Sequence, residues 1–218
     1  MSTKPMGNSL IENLIVDDPV CPLEGCGVLG FDPPAFANLG WGAFTVKNGI
    51  AIHADSGVYR LPEFENQRLM SIHQFVDDLI EKYNVRVICF ERSIGGGMAH
   101  IREMLAENTG VIKLVAAWAG VKVDALHTST MAKRYTGSGH HKGKKSRIKS
   151  TTRDLFFPGQ TYRSIAPKES GGESFEHQAD AVGFAACYLI SNGIPVLGKT
   201  MSLLPWPEEK TEAAPDDQ

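Results

Sequence analysis

Apolar and polar positions fall into blocks along this chain, and each block predicts its own element. Val28-Leu29-Gly30-Phe31 carries no polar side chain on either face, the mark of a strand buried on both sides. Asp32 follows, and Pro33-Pro34 stops the ladder because neither proline can donate a backbone N–H. Leu39 to Val46 and Ile50 to Leu61 read as two further strands joined at Lys47-Asn48-Gly49, a good hairpin turn, so the opening is an antiparallel meander. Leu69, Ile72, Phe75, Val76, Leu79 and Ile80 then recur at helical spacing and predict an amphipathic helix over about 63–83. Val85 to Phe90 is a second strand of the buried type, with Glu91 directly after it. Gly95-Gly96-Gly97 breaks the chain before a helical pattern running from Met98 to Trp118, and Val121 to Leu126 is a fifth strand. Thr128 to Tyr135 begins another helix, and Gly137 to Lys145 is a Gly- and Lys-rich loop. Ile148 to Phe156 is a short helix, Phe157 to Ser174 a long connection and Phe175 to Ile190 a last helix.

Three strands followed by helix, strand, helix, strand and helices predict an α/β fold. Its sheet is mixed and five-stranded, three antiparallel strands then two parallel, flanked by helices. A crossover helix that returns the chain to the sheet centre sets the strand ending at Glu91 beside the strand ending at Asp32. Residues 28–192 make up this body. Residues 1–27 show no sustained period and are expected to be a flexible or loosely docked arm, and 193–218 a C-terminal extension with a disordered acidic tail.

Composition narrows the class. With 218 residues, 42% of them hydrophobic, one sizeable core can form. No run reaches membrane-spanning length and the first residues are polar, which predicts a soluble, intracellular protein without a membrane partner. Cys89 and Cys187 lie inside apolar runs as core residues, and Cys21 and Cys26 form a lone C-x4-C with no second pair to complete a zinc site.

The net charge of −3 disfavours a nucleic-acid partner only until its distribution is seen. From Pro205 onward the tail holds five acids against Lys210 alone, so the rest of the chain carries +1. Within it, 131–150 contains Lys133, Arg134, Lys142, Lys144, Lys145, Arg147 and Lys149 and no acid.

The candidate chemistry is carboxylate chemistry. Asp32 and Glu91 each end a buried-type strand, while His177 and Asp180 stand three apart in the last helix and so share a face. Ala179, Ala181, Gly183, Ala185 and Ala186 let that helix approach the sheet closely. Clustered carboxylates suppress one another's ionisation unless a cation joins them, and a pair of hard divalent ions suits displacement at phosphorus. Taken singly, each residue has an ordinary structural explanation: Asp32 in a turn, Glu91 at a helix N-terminus, His177 and Asp180 in a solvated first turn. Taken in this order, the set points to a nuclease.

In Gly30-x-Asp32-Pro33, Gly40-Trp41-Gly42, Cys89-Phe90-Glu91 and His177-Gln178-Ala179-Asp180-Ala181, the chain resembles the RuvC family of Holliday junction resolvases, within the RNase H-like (retroviral integrase) superfamily. The resemblance covers about 28–190. It implies a homodimer that nicks two strands of a four-way DNA junction symmetrically, using two Mg²⁺ ions per site, with Mn²⁺ able to substitute. Carried over residue by residue, Asp32 bridges both ions, Glu91 holds the one nearer the attacking water, and Asp180 completes the second. His177 falls where relatives carry Asp or His and either ligates or activates the water; Glu176 is an alternative ligand if the helix is shifted by one position.

Lys133 and Lys145 match positions where members of that family keep lysines near the scissile phosphate, so the resemblance implies phosphate contact for both. Lys142, Lys144 and Arg147 extend the basic run, with a solvated loop as the competing explanation for Lys142 and Lys144. The resemblance also implies a branch-migration helicase as partner and a cytoplasmic, nucleoid-associated setting, bacterial or phage-encoded, with an organellar one not excluded.

The chain departs from the family pattern at three places. Pro34-Ala35 replaces a small, Gly-containing turn. Arg92-Ser93-Ile94-Gly95 offers only Ile94 where relatives place an aromatic wedge, and His140-His141 lies in a longer loop. Competing functions are an RNase H-like nuclease acting on other branched DNA or on RNA–DNA hybrids, and a non-catalytic junction binder. A kinase-type phosphotransferase is disfavoured, because no Gly-rich phosphate loop follows Asp32.

Overall fold

The uninterrupted apolar run forms β1 (Gly27–Asp32), and β1 lies at the centre of the sheet. A computed structural model describes residues 23–33, 37–92, 98–127, 144–158 and 173–198, without the side chains of 144–149 and 173–175. β2 (Asn38–Lys47) and β3 (Ile50–Arg60) complete the antiparallel meander. They turn at Asn48 and Gly49, whose φ values of 53° and 70° are those a tight primed hairpin demands. α1 (Glu65–Tyr83) carries the chain back to β4 (Val85–Glu91), which pairs parallel with β1. α2 (Ala99–Trp118) leads likewise to β5 (Lys122–Leu126), parallel to β4. α3 (Lys144–Phe156), α4 (Glu173–Ser191) and β6 (Val196–Leu197) close the described chain.

The strand order is β5-β4-β1-β2-β3-β6, so the mixed sheet has six strands and not the expected five. β6 adds only two residues, pairing with Ala51 and Ile52 of β3, and so short a piece shows no period in the sequence. A second correction concerns Lys144 and Lys145, expected at the end of a loop, which instead open α3. Lysine is a good helix former, so nothing local opposes the earlier start. The helix expected at 128–135, residues 1–22 of the N-terminal arm and the acidic tail lie outside the described residues, while the last part of the arm, 23–27, is docked: Leu23 is buried, Glu24 bridges to Val46, and Gly27 opens β1.

Alternation along the strands divides the core into two layers. Leu29, Phe31, Ile88 and Phe90 pack against Ile72, Val76 and Leu79 of α1 and Ile112 and Val115 of α2. Between those helices Arg68 is buried, with its Nε donating to Asn108 Oδ1 at 3.2 Å and Nη2 reaching Glu107 Oε2 at 3.4 Å. On the other face Val28, Phe44, Val87 and Cys89 meet Val182, Ala185 and Leu189 of α4 and Phe156 of α3. No helix among the described residues is long and apolar enough to cross a membrane.

Candidate active site

Positions 28 and 30 of β1 face α4, so Asp32, the next in that alternation, also turns toward α4. The same holds for Val87, Cys89 and then Glu91 on β4. The parallel register pairs Phe31 with Phe90, which leaves Asp32 and Glu91 level on adjacent strands, roughly 5 Å apart along the hydrogen-bonding direction. Both are half-buried at the carboxyl end of the sheet.

α4 reaches this end because the strands beneath it lack side chains. A Cβ on Gly30 would collide with the carbonyl oxygen of Ala181, and one on Gly40 with the carbonyl oxygen of His177. A Cβ on Gly42 would lie 2.6 Å from Val182 Cγ2. Those three glycines are seats for the helix backbone, which is the physical content of the Gly-x-Asp and Gly-Trp-Gly patterns. The docking is reinforced by Gln178, whose buried Nε2 donates to Ser56 Oγ of β3 at 2.9 Å.

So seated, α4 brings His177 onto Asp32: Nδ1 lies 2.5 Å from Oδ2. An ionised carboxylate only accepts, so Nδ1 carries the proton and donates it. The carboxylate is the deeper partner, 18% exposed against 34% for the imidazole. Asp180 lies three residues further along α4, half-buried. Glu176, the alternative ligand, is exposed.

The structure thus joins Asp32 to His177 by contact and Asp32 to Glu91 by register. Among the described residues, no three His, Cys, Asp or Glu side chains stand together closely enough to hold a metal ion. The donor types, carboxylates with an imidazole, are chemically suited to hard divalent cations.

Of the basic candidates, Lys144, Lys145 and Arg147 lie in the first turns of α3, whose far end packs on the α4 face through Phe156. Lys133, Lys142, the His140-His141 pair and Ile94 lie outside the described residues. Sequence reasoning missed the seating role of Gly30, Gly40 and Gly42 and the Gln178–Ser56 bond. The glycines were visible as a pattern, but their purpose needs the helix above them.

No protein-family model matches the chain. The crossover junction endodeoxyribonuclease RuvC of Cereibacter sphaeroides is 29% identical over 164 residues, covering 74% of this chain and 88% of the relative. Among solved structures, T. thermophilus RuvC in complex with Holliday junction substrate matches with a TM-score of 0.59 at 22% identity, over 74% of this chain and 92% of that one. The yeast mitochondrial Holliday junction resolvase matches with a TM-score of 0.50 at 13% identity, over 81% and 82% of the two chains. The two structural likenesses speak to the fold, and they agree with the RNase H-like architecture.

Proposed function

We propose that this chain is a member of the RuvC family and a structure-selective endodeoxyribonuclease that resolves four-way DNA junctions by hydrolysing a phosphodiester bond in each of two strands. The observation that carries the reading is the register of β1 and β4, which sets Asp32 beside Glu91 under the helix bearing His177 and Asp180. A relative of the same family aligned over 88% of its own length supports it.

In this proposal Asp32, Glu91, His177 and Asp180 would hold two Mg²⁺ ions, with Mn²⁺ able to substitute. Such ions, when bound, activate water and stabilise the leaving oxygen. The chain's own contribution is positioning. His177 donates Nδ1–H to Asp32, which fixes the rotation of the carboxylate and of the ring, so that the neutral imidazole would present Nε2. That tautomer suits either ligation or acceptance of a proton from the attacking water. Lys133, Lys142, Lys144, Lys145 and Arg147 are assigned to backbone phosphates, where they add affinity without reading sequence.

Two symmetric cuts call for two sites, hence a homodimer. Support for a partner surface comes from Leu114 and Trp118, both exposed on α2. A branch-migrating helicase as partner and a cytoplasmic, nucleoid-associated setting belong to the same reading.

The test uses synthetic four-way junction, fork and RNA–DNA hybrid substrates, with and without Mg²⁺. Wild-type protein is expected to nick the junction in symmetric pairs only with metal. Asp32→Asn is expected to abolish nicking while junction binding persists. Normal nicking by purified Asp32→Asn protein defeats the assignment, and preferred cleavage of fork or hybrid redirects it.

A further inference from the structure

We propose that Arg92 and His127 form a phosphate-binding clamp at the carboxyl edge of the sheet, on the opposite side of β4 from the catalytic carboxylates. Its ligand is the DNA backbone next to the phosphate being cut. The proposal rests on the junction-nuclease reading above.

The backbone supplies the first argument. Arg92 follows the last residue of β4, yet its N–H donates to the Leu126 carbonyl of β5 at 2.7 Å, so the ladder continues one residue past Glu91. Arg92 is therefore held, and the alternation that turns Glu91 toward α4 turns Arg92 to the other side. His127 follows Leu126 of β5 in the same phase. Their side chains meet as this phase requires, with Arg92 Nη1 3.4 Å from His127 Nε2. Arginine has donors only, so Nε2 accepts.

Charge supplies the second. Both residues are exposed, and Arg92 has no carboxylate within ion-pair distance among the described residues. An arginine next to an acidic site ordinarily neutralises it. Here the strand geometry aims the guanidinium away from Glu91, so no acid among the described residues neutralises the cation. One of its donors is used on His127, which steadies the group, and the remaining fork matches the oxygens of a phosphodiester. Its place at the end where Asp32 and Glu91 gather makes the substrate backbone the fitting ligand.

The experiment measures dissociation constants of the full chain for a synthetic four-way junction across a NaCl series in Ca²⁺, together with cleavage in Mg²⁺. Arg92→Ala is expected to weaken binding about tenfold near 0.1 M salt and to reduce the salt slope by about one. Arg92→Lys restores the slope, because the charge returns, but not the full affinity, because the fork does not. His127→Ala keeps the slope and loses less affinity. Arg92→Gln replaces Arg92→Ala should the latter fold poorly, since slope and not stability is read. An unchanged slope in both Arg92→Ala and Arg92→Gln, with wild type binding and cutting normally, overturns the clamp alone. Failure of wild type to bind or cut the junction overturns the function and the clamp together.

Discussion

The two faces of the sheet are built in opposite ways. The face toward α1 and α2 is filled by large side chains, Phe31, Phe90, Ile72 and Ile112 among them, and pinned by the buried Arg68 between the helices. The face toward α4 is packed by omission. Gly30, Gly40 and Gly42 take the helix backbone almost onto the sheet, and Ala179, Ala181, Ala185 and Ala186 return the favour from above. A layer of interdigitated side chains can relax when one atom group changes, because neighbouring rotamers adjust. Backbone seated on backbone has no such freedom. The candidate site lies on the second face, where His177 must meet Asp32 within hydrogen-bond distance. Position at the site is thus set by the rigid layer.

Gly40→Ala is the hardest blow to this contrast. The new methyl would strike the backbone of His177, so α4 must move off the strand at that point. A displacement near 1 Å at a reacting group costs about a hundredfold in rate, so single-turnover cleavage of a four-way junction should fall by that order. The accompanying loss of stability should be the ordinary overpacking cost, about 1–3 kcal/mol. Ile72→Ala on the other face should reverse the ratio. Its side chain is fully buried, and truncation should cost about 2–5 kcal/mol in denaturant unfolding, while each folded molecule cuts at the wild-type rate. Equal rates for Gly40→Ala and wild type, or a slow but stable Ile72→Ala protein, would erase the distinction between the layers.

Much of this arrangement is legible in the sequence, for a physical reason. β1 and β4 are buried on both faces, so Val28-Leu29-Gly30-Phe31 and Val85 to Phe90 announce themselves, and the carboxylates that end them stand out as polar residues where the core surfaces. The three-residue spacing of His177 and Asp180 is equally plain. What the sequence does not carry is contact between distant segments. Gln178 and Ser56 are joined only because β3 lies under α4, and Arg92 meets His127 only because β4 and β5 run parallel in one particular register. β6 was invisible because two residues have no period, and the start of α3 because lysines are at home in a loop or a helix.

The weakest effect is expected at Glu24, which touches neither helical layer and so serves as a control for both. Its carboxylate accepts the backbone N–H groups of Asn48 and Gly49, at 2.8 and 3.1 Å, and so fastens the β2–β3 hairpin at the end of the sheet remote from Asp32. The bonds from Gly49 and Asn48 hold its pKa below the ordinary value. A depressed folded-state pKa means that the stabilisation is whole above the unfolded-state value of about 4.3 and drains away as pH falls through the folded one. Glu24→Gln should therefore melt slightly below wild type at pH 6, and the gap should close on acidification below about pH 4.3. Junction cleavage should be unchanged, because neither the seats of α4 nor the Asp32–His177 contact is disturbed. A melting gap of the same size at pH 3 and pH 6 would mean that the charge of Glu24 contributes nothing to the hairpin. A loss of cleavage without loss of stability would mean that the hairpin end communicates with the site, and the rigid layer would then have to extend along the whole length of β2.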